Sequence, residues 1–150
     1  MYSTPLIKAV RRASRDVISL LLQHGADTEL GDERNETPLF HAANIAATQE
    51  LLKHGASVNH QSNFGRTPLF RAANVAQLNE LLRHGANVNH QNAFGETALL
   101  NAILESRRNV VEFLVSNGAD VNISTTSGEK CDVWAKYKDN SCTPLQQALM

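Results

Sequence analysis

Apolar residues occur along the chain in short blocks that alternate with polar blocks. One kind of apolar block ends in Leu-Leu, a basic residue, His and Gly, as at residues 51–55 and 81–85. A glycine in that place fits the left-handed conformation that ends a helix, because it has no side chain to clash. The same apolar spacing at residues 110–114 is typical of a buried helix. These blocks therefore predict the C-terminal parts of a series of helices.

A second kind of apolar block begins with the tripeptide Thr-Pro-Leu. A threonine hydroxyl can accept a hydrogen bond from an unpaired amide of the first helical turn, and proline loses nothing at the first helical position. Each tripeptide therefore predicts the start of another helix. The threonines are Thr4, Thr37, Thr67, Thr97 and Thr143, and the fourth is followed by Ala instead of Pro.

The two kinds of block repeat in phase. The threonines stand 33, 30, 30 and 46 residues apart, and the glycines Gly25, Gly55 and Gly85 each precede the next threonine by 12 residues. A period in this range indicates a stacked repeat array. The stretch between glycine and threonine holds a β-branched residue, polar residues and a turn glycine, which predicts a tight β-hairpin. The predicted fold is an all-α solenoid of helix pairs with short β-hairpin loops.

The tripeptide blocks read Thr-Pro-Leu-Phe-His-Ala-Ala at residues 37–43 and Thr-Pro-Leu-Phe-Arg-Ala-Ala at residues 67–73. In these blocks the chain resembles the ankyrin repeat family, whose signature is T-P-L-H-x-A with a period of 33, except that Phe replaces His. The likeness covers residues 4–122 and again 143–150. It implies stacked helix pairs with hairpins at right angles to them, and a protein-binding role without catalysis.

The length of 150 residues and the even spread of the repeats predict one domain. We expect repeats near residues 4–36, 37–66, 67–96 and 97–122, a hairpin insertion at 123–142, and a terminal half repeat at 143–150. The insertion follows because Gly118 stands 25 residues before Thr143, where the usual distance is 12. It carries the single tryptophan, Trp134, which we include among the candidate partner-binding residues.

Repeats two and three are three residues shorter than repeats one and four between their threonine and glycine. Asn44 and Asn74 are suited to cap complete second helices, so the missing residues fall at the end of helix one. In ankyrin-like stacks that end lines the concave face, and the sequence predicts a notch over these two repeats. The predicted flanks of the notch are Arg11 and Arg12 on one side and Leu104 and Glu105 on the other.

Charge and composition exclude several partners. The net charge of −1 provides no basic surface for nucleic acid or an anionic membrane, and no apolar run approaches the ~18 residues of a membrane span. Without a secretion signal we expect an intracellular protein, cytoplasmic or nuclear, and a monomer. Cys131 and Cys142 cannot form a framework for the fold, and a bridge between them would need an oxidising compartment.

Histidines recur at the same places in successive repeats, which suggests either a metal site or simple copying of the repeat. Neighbouring repeats stand ~8–10 Å apart, whereas zinc-bound nitrogens lie ~2 Å from the ion, so we interpret the histidines as copies. The residues concerned are His24, His54, His84, His60 and His90. The chain has none of the short catalytic or phosphate-binding motifs. We therefore predict no metal, no cofactor and no enzymatic activity.

Two sets of residues are candidates for binding a partner. Phe64 and Phe94 stand before the turn glycines, where with Arg66 and Glu96 they could form an apolar ridge; alternatively each Phe folds onto a neighbouring hairpin. The second set follows the tripeptides and, by the resemblance, faces the concave side, where it would suit a polar or acidic peptide or would simply be solvated. Its members are Lys8, His41, Arg71, Asn101 and Gln147, with Asn44, Asn74 and Glu105 nearby.

The function that the residues and the resemblance favour is non-catalytic recognition of another protein or peptide through hairpin tips and the concave helix face. One alternative is a targeting or regulatory segment of a larger protein, such as an enzyme or a ubiquitin-ligase adaptor. Another is a small effector or inhibitor that mimics a host ankyrin protein.

Overall fold

The computed structural model describes residues 3–124, and the chain divides into two compact units, Met1–Asn87 and Val88–Met150. The predicted insertion with Trp134, the two cysteines and the terminal half repeat lie outside the described residues. Every regular element within residues 3–124 is a helix.

The first unit holds three helix pairs in two rows. The first helices of the pairs are α1 (Pro5–Arg11) and two short 3₁₀ helices, η1 (Pro38–His41) and η2 (Pro68–Arg71). The second helices are α2 (Arg15–Gln23), α3 (Ile45–Lys53) and α4 (Val75–Arg83). Each row packs in sequence, α1 on η1 on η2 and α2 on α3 on α4, and each first helix contacts a second helix. This is the two-layered stack that the repeat period predicts.

The second unit contains the fourth helix pair, α5 (Ala98–Leu104) and α6 (Arg108–Ser116), which pack against each other. Leu99 and Leu114 are fully buried within it. In the first unit the same places are taken by buried leucines such as Leu6 and Leu51. Burial of one apolar side chain of this size stabilises a fold by about 1.5–3 kcal/mol, so the leucine positions of the repeat hold the stack together.

The predicted shortening of the first helices is confirmed for repeats two and three. η1 and η2 each have four residues, whereas α1 and α5 each have seven. The second helices of these repeats keep their full nine residues, and the side chains of Asn44 and Asn74 cap them by accepting from the amides of Ala47 and Gln77.

The shortening also changes how the first helices begin. The hydroxyls of Thr4 and Thr97 cap α1 and α5, as predicted, by accepting from the amide three residues later. The same prediction is wrong for Thr37 and Thr67, whose buried hydroxyls have no hydrogen-bond partner. In a 3₁₀ helix the amide three residues on bonds to the backbone carbonyl instead, as the Phe40 amide does to Thr37 at 3.0 Å. The hydroxyl therefore loses its donor.

The predicted β-hairpins are not confirmed, since residues 3–124 contain no strand. Each connection is a tight turn closed by backbone hydrogen bonds, one of which spans four residues. The amides of Asp32, Ser62 and Asn92 donate to the carbonyl oxygens of residues 36, 66 and 96, at 2.9–3.0 Å. The helix-ending glycines behave as predicted, with Gly25, Gly55, Gly85 and Gly118 at φ between 81° and 86°.

Side chains in the connections also link neighbouring repeats. Asn59 donates to the carbonyl of Gly85 and accepts from the amide of Asn87, each at 2.9 Å. In the second unit Asn89 makes the same pair of bonds, to Gly118 and Asp120. The linking amide satisfies backbone groups that the turns leave unpaired, so these bonds set the register between neighbouring repeats.

One buried polar side chain joins the two rows of the first unit. The Gln77 amide donates to the carbonyl of Ala42 at 2.9 Å and to the Thr48 hydroxyl at 3.1 Å. Its oxygen accepts from the amide of Ala73 at 2.9 Å. All three polar positions of this buried side chain are therefore paired, as burial requires.

None of the helices within residues 3–124 is long and apolar enough to cross a membrane.

Candidate functional site

A cavity of about 370 Å³ opens in the first unit where the three first helices end. The last residue of each of these helices lines it, namely Arg11 of α1, His41 of η1 and Arg71 of η2. The connection before η1 supplies the remaining walls, which are Asp32, Glu33, Arg34 and Glu36. Because η1 and η2 stop after four residues, their terminal side chains lie beside the connection.

The backbone turn of that connection sets the position of Asp32. Its Oδ1 accepts from the amides of Arg34 at 3.0 Å and Glu36 at 3.2 Å. Ser62 and Asn92 hold the equivalent places and accept from the equivalent amides of their own turns. This side-chain-to-backbone turn is the ordinary role of Asp, Asn and Ser in such loops. It leaves Oδ2 of Asp32 directed to the cavity residues.

Asp32 Oδ2 is shared by two donors. His41 Nε2 lies 3.0 Å from it and Arg11 Nη2 lies 3.4 Å from it. Because an ionised carboxylate only accepts hydrogen bonds, we assign the imidazole proton to Nε2. Arg11 Nη2 also lies 3.3 and 3.4 Å from the two ring nitrogens of His41. The three side chains therefore form one polar cluster at the base of the cavity.

Burial and charge shift the pKa values of this cluster. Burial, assisted by the positive charge of Arg11, holds the pKa of His41 below its usual value, against the opposite pull of Asp32 and Glu36. Burial alone would raise the pKa of Asp32. The amides of Arg34 and Glu36, together with His41, outweigh that effect and keep the pKa of Asp32 below its usual value. Asp32 is thus a carboxylate at neutral pH and His41 is mainly the neutral imidazole.

Glu36 completes the base of the cavity with a second carboxylate. Its side chain is only 7% exposed, and its Oε2 lies 3.7 Å from His41 Nε2. That distance is too long for a hydrogen bond, and His41 already donates to Asp32. Among the described residues no side chain donates a hydrogen bond to the Glu36 carboxylate.

Two exposed arginines also line the cavity. Arg34 and Arg71 are exposed, and within residues 3–124 neither side chain forms an ion pair. Arg11 differs from them because it is engaged with Asp32. The lining therefore combines the acidic residues Asp32, Glu33 and Glu36 with two exposed guanidinium groups that form no ion pair among the described residues.

The concave row predicted from the sequence is brought together in part. Two of the predicted residues, His41 and Arg71, line the cavity. Lys8, predicted from the first repeat, does not line it, and Arg11 of the same helix does. Asn44 and Asn74 use their side-chain oxygens as helix caps. Asn101 lies on α5 in the second unit, half-buried.

The phenylalanines at the predicted hairpin tips are exposed. Phe64, in the first unit, is 44% exposed, and Phe94, in the second unit, is 37% exposed, so neither ring is folded into a core. Their expected polar neighbours lie differently. Arg66 is half-buried, and Glu96 is buried with its carboxylate accepting from the Asn92 amide at 2.7 Å. Glu96 thus supports its own turn and does not extend an exposed ridge.

Sequence reasoning missed the acidic half of the cavity. Asp32, Arg34 and Glu36 carry no motif, and only the register of Asp32 with Ser62 and Asn92 marked its turn-forming role. That register predicts a bond to the backbone. It does not predict that the second oxygen of Asp32 meets residues of two other helices.

Comparison with known proteins matches this architecture. A family model described as ankyrin repeats (3 copies) matches residues 1–62 and 44–125, which is most of the chain. No curated protein matches the chain.

Proposed function

Since the chain belongs to the ankyrin repeat family, we propose that it is a non-catalytic module that binds another protein through the cavity at the ends of α1, η1 and η2. Ankyrin repeats are in general protein–protein interaction modules. In this chain the partner inserts an acidic group into that cavity.

The observation that carries the proposal is the pair of exposed guanidinium groups of Arg34 and Arg71. Neither is neutralised by a carboxylate of the described residues. Arginine is enriched among the residues that dominate binding energy, and its planar fork fits a carboxylate with two parallel hydrogen bonds. A partner that presents Asp, Glu or a terminal carboxylate would satisfy both groups.

The size of the cavity suits this role. About 370 Å³ lies within the range of small ligand sites, ~300–1,000 Å³, and is enough to hold one side chain with its hydrating water. The neighbouring acidic groups do not oppose such a ligand equally. Arg11 and the turn amides partly neutralise Asp32, whereas the Glu36 carboxylate would repel an acidic group, so the attraction comes from the exposed Arg34 and Arg71.

The test is affinity capture with the full chain, followed by titration of the captured partner as a purified protein. We expect Arg34→Glu combined with Arg71→Glu to weaken the purified complex at least ~tenfold, because two charge-assisted contacts become repulsive. The matched control is Lys53→Glu combined with Arg83→Glu. It changes the net charge equally at two exposed residues away from the cavity.

Circular dichroism must show that both double variants keep their helices. Equal affinity of the Arg34/Arg71 variant and the wild type would remove the cavity from the interface. If the control variant weakened the complex equally, the effect would come from the change in net charge and not from the cavity.

Phe64 and Phe94 are a second candidate contact, since both rings are exposed and aromatic residues are enriched among those that dominate binding energy. We propose that each adds apolar contact to the partner from its own unit. Phe64→Ala combined with Phe94→Ala is expected to weaken capture without unfolding the chain. Undiminished capture would show that the rings are not part of the interface.

A further inference from the structure

The base of the cavity brings three metal-ligating side chains together. One donor atom each from Asp32, Glu36 and His41 lies within 4.8 Å of the other two. His41 Nε2 is 3.0 Å from Asp32 Oδ2 and 3.7 Å from Glu36 Oε2. In a tetrahedral zinc site with bonds of about 2.0–2.1 Å, donor atoms stand about 3.3 Å apart. These two separations lie on either side of that value, and the third pair of donor atoms, from Asp32 and Glu36, lies within 4.8 Å.

The side chains are also shielded from water. Those of His41, Glu36 and Asp32 are 5%, 7% and 13% exposed. Two carboxylates in such surroundings need compensation by positive charge or by hydrogen bonds. Asp32 has both, from the turn amides and from Arg11.

Glu36 lacks that compensation. Its carboxylate lies in the cavity wall with His41 Nε2 at 3.7 Å, and no described residue donates a hydrogen bond to it. A side chain that is more than nine-tenths buried and whose carboxylate receives no hydrogen bond is free to bind a cation from the cavity. This observation is independent of the clustering of the three side chains.

We propose that Asp32, Glu36 and His41 bind a divalent transition-metal ion of the zinc class. The donor set of one imidazole and two carboxylates suits such an ion better than Mg²⁺ or Ca²⁺, which prefer oxygen ligands alone. The neutral imidazole coordinates through Nε2, and its proton moves to Nδ1. Three protein ligands leave at least one coordination position, which opens on the cavity.

Arg11 is the competitor of this ion. Its guanidinium lies 3.4 Å from Asp32 Oδ2, and its side chain is 38% exposed, so it can turn towards solvent when the metal enters. Removal of the Arg11 charge is therefore expected to strengthen metal binding. A merely structural role of the three ligands would not produce that result.

The experiment titrates the full chain with Zn²⁺ by calorimetry and with Co²⁺ by visible absorption. Cys131 and Cys142 are replaced by Ser to exclude thiolate ligands. We expect one equivalent of metal to bind. Glu36→Gln and His41→Ala should each lower the metal affinity by at least ~10–100-fold, because that is the usual effect of removing a residue that only orients a metal ligand. Arg11→Gln should tighten binding several-fold.

The matched controls are Glu96→Gln, which alters the equivalent residue of the second unit, and His84→Ala, which removes an exposed histidine beside a glutamate. Both should bind metal like the wild type. The proposal is overturned if the parent chain binds no metal, if Glu36→Gln and Arg11→Gln bind it unchanged, or if either control abolishes binding. Partner binding by the Arg34→Glu/Arg71→Glu variant is measured in metal-free buffer. A failure of the metal-binding proposal can therefore be distinguished from a failure of the proposed function.

Discussion

The buried amide of Gln77 offers a quantitative test of how the first unit is held together. Gln77→Ala removes its bonds to the Ala42 carbonyl, the Thr48 hydroxyl and the Ala73 amide. Alanine is compatible with this place, because Ala47 occupies it in the preceding repeat, 30 residues earlier. The change therefore tests the hydrogen bonds and the small volume lost, without a clash.

The size of the effect follows from the partners left behind. Each bond contributes about 1 kcal/mol on average, which would give about 3 kcal/mol for the three. Ala73 is exposed, so water replaces the bond to its amide. The Ala42 carbonyl and the Thr48 hydroxyl lie deeper, and the better helix propensity of Ala returns a few tenths of a kcal/mol. We expect the free energy of unfolding to fall by about 2 kcal/mol.

The assay is urea unfolding followed by far-ultraviolet circular dichroism, with the denaturant slope compared between variants. Asn79→Ala, at an exposed position of the same helix, is the control and should change the free energy by no more than about 0.5 kcal/mol. A double-mutant cycle with Thr48→Ala should give a coupling of about 0.5–1.5 kcal/mol. A loss no larger than that of Asn79→Ala, or a coupling near zero, would refute the assigned role.

Three further predictions concern the repeat positions. Thr67→Val should stabilise the chain by up to about 1 kcal/mol, because it removes a buried unpaired hydroxyl. Thr97→Val should destabilise it by about 1 kcal/mol, because a helix cap is lost. Urea unfolding that gave the same sign for both substitutions would contradict this difference. Asn59→Ala should cost about 1 kcal/mol for two exposed inter-repeat bonds and speed hydrogen exchange at the Asn87 amide, and unchanged exchange would count against the link. Gly85→Ala should cost about 1–2 kcal/mol from its positive φ alone, since no atom lies near the added methyl group; Gly85→Asn should cost less, and a melting temperature unchanged by both would argue against strain.

The sequence by itself determined where the helices start and end. The asparagines that cap α3 and α4, the glycines that end the second helices, and the loss of three residues from two first helices were all predictable. The physical reason is that these features depend on short-range interactions along the chain. A cap or a left-handed glycine depends on hydrogen bonds and steric contacts within about four residues of the chain.

Even locally, the sequence did not show what the shortened helices become. Thr37 and Thr97 open similar tripeptides, yet only Thr97 caps its helix through its hydroxyl. In η1 the Phe40 amide bonds to the Thr37 carbonyl, because a four-residue segment closes three-residue hydrogen bonds. The predicted hairpins likewise reduce to tight hydrogen-bonded turns within the described residues.

Only the tertiary structure decided the composition of the cavity. Arg11, Asp32 and His41 are separated by 21 and 9 residues in the chain, and stacking of one repeat on the next places their side chains within 3.4 Å of each other. The repeat pattern constrains the backbone register, which the buried leucines enforce. The repeat pattern does not predict which polar side chains come into contact at the helix ends, because those contacts depend on the lengths of two neighbouring helices together.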